Sequence, residues 1–425
     1  MTGRNLQQWL THLEQLHPKE MDLGLDRVRA VWAQLGSPRP ARRVITVAGT
    51  NGKGSVVAAL QAVLASHGLR VGVTTSPHLH RFNERIGITG SEASDADIVA
   101  AFERIDAARQ DISLTYFEFA ILAAIDLMAR ADLDVAVLEV GLGGRLDAVN
   151  LIDADVAVIS SVDLDHEAWL GDDRETIGYE KAGVLRAGRP VVIGERSPPQ
   201  SVLRRAAELE APVFQLDRDF RWLDRQQGGR FEGGYDQALC IEGLPAAALL
   251  PSNLAAALQA ASLLPLELDP ARVHHALDGL RLPGRMQTLQ QHGLDWMLDV
   301  AHNPHAVAEL VARLDAQARW VAVFATFRDK RVDRMLERLA PRIEKLFLAP
   351  TPGSRGQSAE ELELRLAAVV PSLPRSSFGS AGDAMAAAGE YARTHGCQVL
   401  VAGSFTLVAA ASRWLSADRD GLEAG

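Results

Sequence analysis

A glycine-rich stretch near residue 50 carries the residue types that bind nucleotide phosphates. The apolar run Val44–Val47 is followed by Gly49-Thr50-Asn51-Gly52-Lys53-Gly54-Ser55 and then by an alanine-rich segment. Glycines let backbone N–H groups approach phosphates, and a helix N-terminus favours negative charge. Lys53 would contact the terminal phosphates and Ser55 a metal ion, although Gly54 separates two residues that are adjacent in the common GxxxxGK[ST] motif. The alternative is a tight glycine turn that binds no ligand.

Polar residues that could bind a metal ion follow three further apolar runs. Ser76 follows Val71–Thr74, Glu139 lies near the end of Val135–Val140, and His166 closes the motif Asp-Leu-Asp-His. Ligands of doubly wound sheets collect at the carboxyl ends of strands, and Mg²⁺ beside phosphates prefers oxygen donors. Each residue also has a structural alternative. These are a Ser-Pro turn at Ser76, an ion pair of Glu139 with an arginine such as Arg145, and a structural histidine at 166.

Another cluster lies in the second half of the chain. Asp299-Val300-Ala301-His302-Asn303-Pro304 ends an apolar run and places a carboxylate, an imidazole and an amide together. An Asx turn that opens a helix would explain the same residues. The default interpretation of Lys181 is a solvated lysine, and that of Tyr116-Phe117 is a pair of core aromatics.

The segments between these residues alternate strands and helices. Several predicted strands are apolar throughout, which is typical of a parallel sheet buried on both faces. Helices are predicted in the first 35 residues, at 60–67, at 119–131 and over 252–280, with hairpins and loops over 214–250. A break near residues 284–294 precedes a second α/β run. The predicted strands are Val44–Val47, Val71–Thr74, Val135–Val140, Val156–Ser161, Val191–Ile193, Trp296–Val300, Trp320–Phe324, Leu346–Leu348 and Val399–Ala402.

Length and composition limit the class of protein. The 425 residues allow two to three domains at roughly 150 residues each. Hydrophobic residues at 47% and charged residues at 23% indicate a globular chain and exclude general disorder. A net charge of −10 argues against a broad basic surface for nucleic acid. No apolar run approaches the roughly 20 residues of a membrane span, and the first residues lack the apolar core of a signal peptide. Two cysteines cannot form a disulfide framework, so we expect a cytoplasmic protein without nucleic-acid or membrane partners.

Taken together, the motifs resemble the folylpolyglutamate synthase family of the Mur ligase superfamily. The resemblance runs through almost the whole chain and includes Met21–Val28, Thr115–Phe119, Leu138–Asn150, Leu282–Arg285 and Gly403–Phe405. It implies an α/β fold with two domains. Residues 1–288 would form a large P-loop-type Mur ligase ATPase domain with a mostly parallel sheet, which also binds the pterin. Residues 289–425 would form a smaller, Rossmann-like glutamate ligase domain.

The resemblance implies ATP-dependent amide bond formation through an acyl phosphate. A monomeric enzyme would add L-glutamate to dihydropteroate, giving dihydrofolate, and further glutamates to reduced folates. One competing hypothesis is a Mur-type ligase for a nucleotide-linked cell-wall precursor, against which Tyr116-Phe117 and the Met21–Gly24 loop argue. The other is a non-catalytic ATP-binding scaffold. The joint presence of Lys53, Glu139, His166 and Asp299 weighs against a scaffold.

The resemblance also assigns roles by position. Lys53, His302 and Lys181 are expected to be catalytic, and Lys181 to be an N6-carboxylysine whose negative charge could bind metal. Ser76 and Glu139 would hold one Mg²⁺, and Glu139 and His166 a second. The expected ATP contacts are Thr50, Asn51, Gly52, Lys53, Gly54, Ser55, Asn253, Arg285 and Asp299. The expected dihydropteroate contacts are Met21, Asp22, Leu23, Gly24, Thr115, Tyr116, Phe117, Glu118, Phe119, Ala120, Ile121, Leu122 and Leu146.

Overall fold

The computed structural model describes residues 3–19, 22–225, 228–245 and 248–422, with side chains as far as residue 416. The chain divides into two units. The first unit holds Met1–Asp163 and Glu167–Leu280, and the second holds Leu164–His166 and Arg281–Gly425. The predicted domain boundary between residues 288 and 289 lies shortly after this division and stays a prediction. No helix in the described ranges is both long and apolar enough to cross a membrane.

The first unit is built on a mostly parallel sheet. Its strands are β1 (Arg43–Ala48), β2 (Val71–Thr74), β3 (Ile86–Ile88), β4 (Ser91–Glu92), β5 (Val135–Glu139), β6 (Val156–Ile159), β7 (Val191–Ile193) and β8 (Val213–Gln215). They lie in the order β4-β3-β2-β5-β1-β6-β7-β8. Only the β2–β3 and β3–β4 pairs among them are antiparallel. The strands β2, β5, β6 and β7 are buried along their whole length, which explains their apolar sequences.

Ten helices of the first unit fall within the described residues. They are α1 (Leu6–Leu16), α2 (Asp26–Gln34), α3 (Lys53–Ser66), α4 (Asp95–Arg109), α5 (Tyr116–Arg130), α6 (Glu167–Leu170), α7 (Arg174–Ala182), α8 (Gln200–Glu208), α9 (Pro251–Ser262) and α10 (Pro270–Leu277). The helix predicted over 252–280 is two helices. The reason is local, because the Asp269 side chain caps α10 and Pro270 takes its first position. Short 3₁₀ helices cover Phe82–Arg85 and Ala148–Leu151.

A small antiparallel sheet occupies the polar, glycine-rich stretch of the first unit. Its strands are β9 (Arg221–Arg225), β10 (Gly228–Gly234) and β11 (Ala238–Leu244), in the order β11-β10-β9. The hairpins predicted over 214–250 are therefore confirmed. Gln259 of α9 exchanges two hydrogen bonds of 3.0 Å with the backbone of Gly234, which fixes the small sheet on that helix.

The second unit repeats the α/β pattern. Its strands are β12 (Gln287–Gln291), β13 (Leu294–Asp299), β14 (Trp320–Phe324), β15 (Ile343–Leu348), β16 (Arg375–Ser377) and β17 (Gln398–Ala402). Its helices are α11 (Pro304–Arg313), α12 (Val332–Leu339), α13 (Ala359–Val369), α14 (Ala381–His395) and α15 (Phe405–Leu422), with a 3₁₀ turn at Ala340–Arg342. The strand order is β12-β13-β17-β14-β15-β16, and β12 pairs antiparallel with β13 while the other pairs are parallel. The α/β fold class with parallel-rich sheets in both halves is confirmed.

Candidate active site

The glycine-rich loop lies between the end of β1 and the start of α3. Residues that directly follow β6 hold it from the side. The Thr50 N–H donates to the Ser161 carbonyl at 2.8 Å, and the Ser160 hydroxyl donates to the Asn51 carbonyl at 2.6 Å. The Thr50 hydroxyl donates to the Asp163 carbonyl at 3.0 Å. The protein's own hydrogen bonds therefore set the shape of the loop, which lowers the cost of ordering it around a ligand.

Lys53 is the first residue of α3, and its side chain folds back over the loop. Its Nζ donates to the Gly49 carbonyl at 2.9 Å and to the Thr50 carbonyl at 3.3 Å. Gly52, just before it, has φ +84°, and a Cβ there would lie 2.4 Å from Oδ1 of Asn253. Glycine is required at 52 for both reasons. The close contact also brings Asn253, buried on the first turn of α9, beside the loop.

Ser76 and Glu139 lie side by side at the carboxyl ends of β2 and β5. The backbone N–H of Ser76 donates to Oε2 of Glu139 at 3.1 Å. Glu139 is only 4% exposed and is the register partner of Val47, so its carboxylate ends its strand next to the β1 strand that leads into the glycine-rich loop. The arginine considered as its partner, Arg145, forms an ion pair of 2.8 Å with Glu180 instead.

The loop after Glu139 contains a buried carboxyl group, Asp147. Burial raises the pKa of Asp147 to about 6. Hydrogen bonds from the N–H groups of Leu142 and Val149, together with the positive charge of Lys53, act in the opposite direction. Lys53 therefore acts electrostatically on this loop as well as on the phosphate-binding one.

Lys181 is the penultimate residue of α7 and is 3% exposed. A solvated lysine, its default interpretation, is therefore wrong. The loop after Glu139 packs against this helix end, because a Cβ at Gly144 would lie 2.9 Å from the Glu180 carbonyl oxygen and 3.0 Å from that of Lys181. The carboxylation of Lys181 stays a prediction. Its burial beside this loop would bring the added negative charge close to the loop that follows Glu139.

The predicted dihydropteroate residues on α5 fall into two groups. Thr115 caps the helix, since its Oγ1 accepts the Glu118 N–H at 3.2 Å and Glu118 Oε2 accepts the Thr115 N–H at 2.8 Å. Tyr116 and Phe117 are half-buried on the first turn, and a Cβ at Gly141 would lie 2.4 Å from the Phe117 ring. The remaining predicted residues of the helix are buried, namely Phe119, Ala120, Ile121 and Leu122.

Phe119 belongs to an aromatic core. Its ring lies 5.4 Å from that of Phe102, edge to face, and 6.3 Å from that of Trp9. The first turn of α5, not its middle, therefore offers partly exposed groups. Leu146, in the loop after Glu139, is half-buried.

The loop before α2 contains the other predicted dihydropteroate residues. Met21 lies outside the described residues, whereas Asp22, Leu23 and Gly24 are described and half-buried. Arg27 donates from Nη1 to Asp22 Oδ2 at 2.5 Å and from Nη2 to Glu118 Oε1 at 3.1 Å. Arg27 thus joins Asp22 and Glu118, which lie in distant segments and which the family resemblance assigned to the same ligand.

In the second unit, Asp299 lies at the carboxyl end of β13. Its carboxylate accepts the N–H groups of Met286 at 2.9 Å and Ala301 at 2.8 Å. Burial raises the pKa of Asp299 above its ordinary value, although the charge of Arg285 acts against this. The Arg285 guanidinium lies 5.1 Å above the centre of the Phe405 ring. Two predicted ATP residues therefore interact within this unit.

Asp165 is the centre of a second cluster in the same unit. Its carboxylate accepts Lys330 Nζ at 2.5 Å and Asn303 Nδ2 at 3.0 Å, and His302 Nε2 lies at 3.3 Å. Burial acts to raise the pKa of Asp165. The hydrogen bond with His302, the positive charge of Lys330 and the electrostatic effects of the two histidines His302 and His166 outweigh it and hold that pKa well below its ordinary value. Lys330 is itself 7% exposed, so this is a buried ion pair.

The donors for a divalent ion are incomplete without substrate. Among the described residues, no three or more His, Cys, Asp or Glu side chains form a group that could hold a metal ion. The carboxylate of Glu139 beside Ser76 still fits Mg²⁺, which binds through one or two carboxylates and completes its shell with water and substrate phosphates. His166, with φ +52°, belongs to the second unit, and its part in the metal site stays a prediction.

Comparison with known proteins gives the family. The model of the Mur ligase glutamate ligase domain matches residues 284–405. A Haemophilus influenzae protein named dihydrofolate synthase/folylpolyglutamate synthase is 39% identical over 424 residues, which cover 95% of this chain and 96% of the relative. The chain belongs to the dihydrofolate synthase/folylpolyglutamate synthase family.

Solved members of this family share the fold. The structure of Escherichia coli FolC in complex with DHPP and ADP superposes with a TM-score of 0.91 at 39% identity, covering 99% of this chain and 100% of that chain. A bifunctional folylpolyglutamate synthase/dihydrofolate synthase with Mn, AMPPNP and L-glutamate bound gives a TM-score of 0.86 at 42% identity, covering 96% and 97%. These relatives do not favour the alternative of a cell-wall precursor ligase.

Some candidate residues of this family member were missed by sequence reasoning. Asp165 lies in the motif Asp-Leu-Asp-His, but its partner Lys330 is 165 positions away in the chain. Arg27 lies in the Met21–Val28 motif, yet nothing local indicates that it reaches Glu118. The ion pair of Asp165 with Lys330 could have been suggested from the sequence, because buried charges need partners and lysines are few in this chain.

Proposed function

We propose that this chain is an ATP-dependent ligase that joins L-glutamate to the carboxylate of dihydropteroate and then to reduced folates. The observation that carries the proposal is the phosphate-binding loop with Lys53 at the start of α3, in a chain 39% identical over its length to a dihydrofolate synthase/folylpolyglutamate synthase. The substrate carboxylate attacks the γ-phosphate of ATP and becomes an acyl phosphate. The amine of glutamate then displaces phosphate.

The main physical problem is to bring an anionic carboxylate to an anionic triphosphate. The N–H groups at the start of α3 and the ammonium of Lys53 supply positive charge at the loop. Because the loop is held by residues after β6, little reorganisation is needed when ATP binds. Asn253, in contact with Gly52, is assigned to the adenine side of the nucleotide.

Divalent metal ions supply further neutralisation of phosphate charge when bound. Glu139 and Ser76 are proposed to hold one Mg²⁺, and Glu139 and His166 a second. Support for the first set is the hydrogen bond between Ser76 and Glu139 beside the loop strand. Lys181, carboxylated at its amine, would present an anion in place of a cation, and its near-complete burial supports a function other than solvation.

The folate carboxylate donor is proposed to bind beside the first turn of α5. Asp22, Thr115 and Glu118 offer polar groups there, and Tyr116 and Phe117 offer half-buried rings suited to a pterin. Leu146 adds an apolar contact. The fully buried Phe119 to Leu122 support this wall from behind.

The second unit is proposed to complete the reaction. Arg285 and Asp299 are assigned to ATP and His302 to catalysis, supported by the cluster of polar groups that follows β13. The proposal includes a monomeric enzyme that acts in the cytoplasm. It also includes activity on reduced folates as well as on dihydropteroate.

The test is glutamate-dependent ADP release with Mg²⁺, measured side by side with dihydropteroate and with tetrahydrofolate. We expect both acceptors to stimulate release, and Lys53→Met to lower it by about 100-fold or more because the phosphate charge loses its cation. Absence of stimulation by either acceptor would refute the proposal. Stimulation by one acceptor alone would limit it to a single activity.

A further inference from the structure

One side chain joins two distant segments of the first unit. Arg27, on the first turn of α2, donates to the side chain of Asp22 at 2.5 Å, to the Asp22 carbonyl at 2.6 Å and to Glu118 at 3.1 Å. Asp22 lies in the loop before α2, and Glu118 lies in the first turn of α5. Arg27 and Glu118 are 91 positions apart in the chain, so no local preference brings these segments together.

The negative charges of Asp22 and Glu118 require a cation between them, and Arg27 supplies it. Two carboxylates share one guanidinium, and without it they would repel each other across a partly buried space. Two other basic side chains lie near Asp22. Lys19 is 66% exposed, so water screens its ion pair, and the ring of His17 approaches the same carboxylate at 3.7 Å. The planar fork of arginine can serve both carboxylates at once, which an ammonium does less well.

Glu118 is held from two sides. One oxygen accepts the Thr115 N–H at 2.8 Å in the capping box, and the other accepts Arg27. The cap fixes the carboxylate to its own helix, whereas Arg27 fixes that helix turn to the loop before α2. The spacing between the two segments is therefore set through this guanidinium.

We propose that Arg27 is a positioning residue for the folate acceptor, which keeps Asp22 and the first turn of α5 at the spacing the acceptor requires. This inference rests on the proposed function and deepens it. Arg27 acts through Asp22 and Glu118 and touches no reacting group. Its loss is therefore felt in acceptor binding and not in nucleotide binding.

The test compares Arg27→Gln with Arg104→Gln. Arg104 makes a similar ion pair to Asp126 on the same helix, with side-chain exposures of 33% and 4% against 28% and 5% for Arg27 and Glu118. We expect Arg27→Gln to raise KM for dihydropteroate by about tenfold or more while kcat and KM for ATP stay within about twofold. Arg27→Lys should fall between, and Arg104→Gln should leave KM for dihydropteroate within about twofold.

An equal KM effect of Arg27→Gln and Arg104→Gln would overturn the inference, as would a lower thermal midpoint with unchanged KM. If Arg27→Gln does not fold, Glu118→Gln replaces it, because glutamine keeps the capping box and loses the charge. An unchanged KM in that variant overturns the inference too.

Where both variants fold, the effects of Arg27→Gln and Glu118→Gln on KM should not add in the double variant. Wild-type protein in which neither dihydropteroate nor tetrahydrofolate stimulates ADP release refutes the proposed function itself, whereas an active wild type with an unaffected Arg27→Gln refutes only this role.

Discussion

Glu139 is the charged residue of the otherwise apolar strand β5, and its carboxylate accepts the backbone N–H of Ser76. Glu139→Gln keeps an oxygen to accept that N–H, so the fold should tolerate it. The variant loses the charge that a cation needs. We expect the Mg²⁺ concentration for half-maximal ADP release to rise by about tenfold or more.

Titration of ADP release with Mg²⁺ measures this requirement. Glu344→Gln, which breaks an exposed ion pair with Arg319 in the second unit, is the control and should not change it. An unchanged Mg²⁺ dependence in Glu139→Gln would remove this residue from the metal site.

Lys181 gives a second test at the level of one side chain. Lys181 is buried, so truncation to alanine would leave a cavity, and Lys181→Ala should lose activity and regain part of it when a short-chain carboxylate fills that space. ADP release with and without acetate is the measurement. Full activity of the variant without acetate contradicts a carboxylated lysine.

Individual residues were predicted better than their partners. The family resemblance assigned Ser76 and Glu139 to one Mg²⁺, and a hydrogen bond of 3.1 Å joins the two residues, while their metal role stays a prediction. It offered Arg145 for Glu139, but Arg145 binds Glu180, since ion pairing depends on how a loop packs on α7. The burial of Lys181 could not be predicted locally either, because a loop distant in sequence, which contains Gly144, packs against the end of its helix.

The short helix Ala148–Leu151 gives a prediction for one structural element. Asp147 caps it by accepting the Val149 N–H at 2.9 Å, and its pKa is raised to about 6 from 3.8. The folded state therefore holds the proton more tightly than the unfolded state. Asp147 therefore stabilises the folded state by roughly 3 kcal/mol at most below about pH 4. This stabilisation is lost as the pH rises through about 6.

Denaturant unfolding of wild type and Asp147→Asn between pH 4 and 8 measures this contribution. Asparagine does not titrate, so the free energy of unfolding of wild type minus that of the variant should fall up to about pH 6 and then level off. A difference that is constant with pH would contradict the raised pKa.

The elements themselves were largely predictable. Apolar strand runs and the strand-loop-helix order of residues 44–66 gave β1 and α3 correctly. The β3–β4 hairpin and α4 were not predicted. Strand β4 has two exposed residues and gives no alternating pattern. In α4 the apolar residues are interrupted by charged ones, and its buried face is defined by packing against α1, α2 and α5.

For the whole molecule, metal removal should separate activity from folding. Mg²⁺ is proposed to bind through Glu139 and Ser76 and to complete its shell with water and substrate phosphates, so we expect it to serve the reaction and not the fold. We expect a chelator to abolish ADP release while the thermal midpoint without nucleotide changes by less than about 2 °C. A large fall in that midpoint would indicate a structural metal instead.

The resemblance across the whole chain predicted both units, because each contributes motifs in the same order as the family. It did not predict that Leu164–His166 belongs with the second unit, since motif order carries no such information. The net charge of −10 is compatible with anionic substrates because Lys53 places positive charge locally, at the start of α3 beside the glycine-rich loop.

The small number of lysines in this chain has a practical consequence. There are five, at positions 19, 53, 181, 330 and 345, and two of these, Lys181 and Lys330, are buried. The other Lys and Arg residues are all arginines. Guanidinium groups do not form carbamates with carbon dioxide. A ¹³C NMR spectrum recorded with labelled bicarbonate would therefore contain few carbamate resonances. Any such signal that resists exchange would be assigned by comparing a handful of variants.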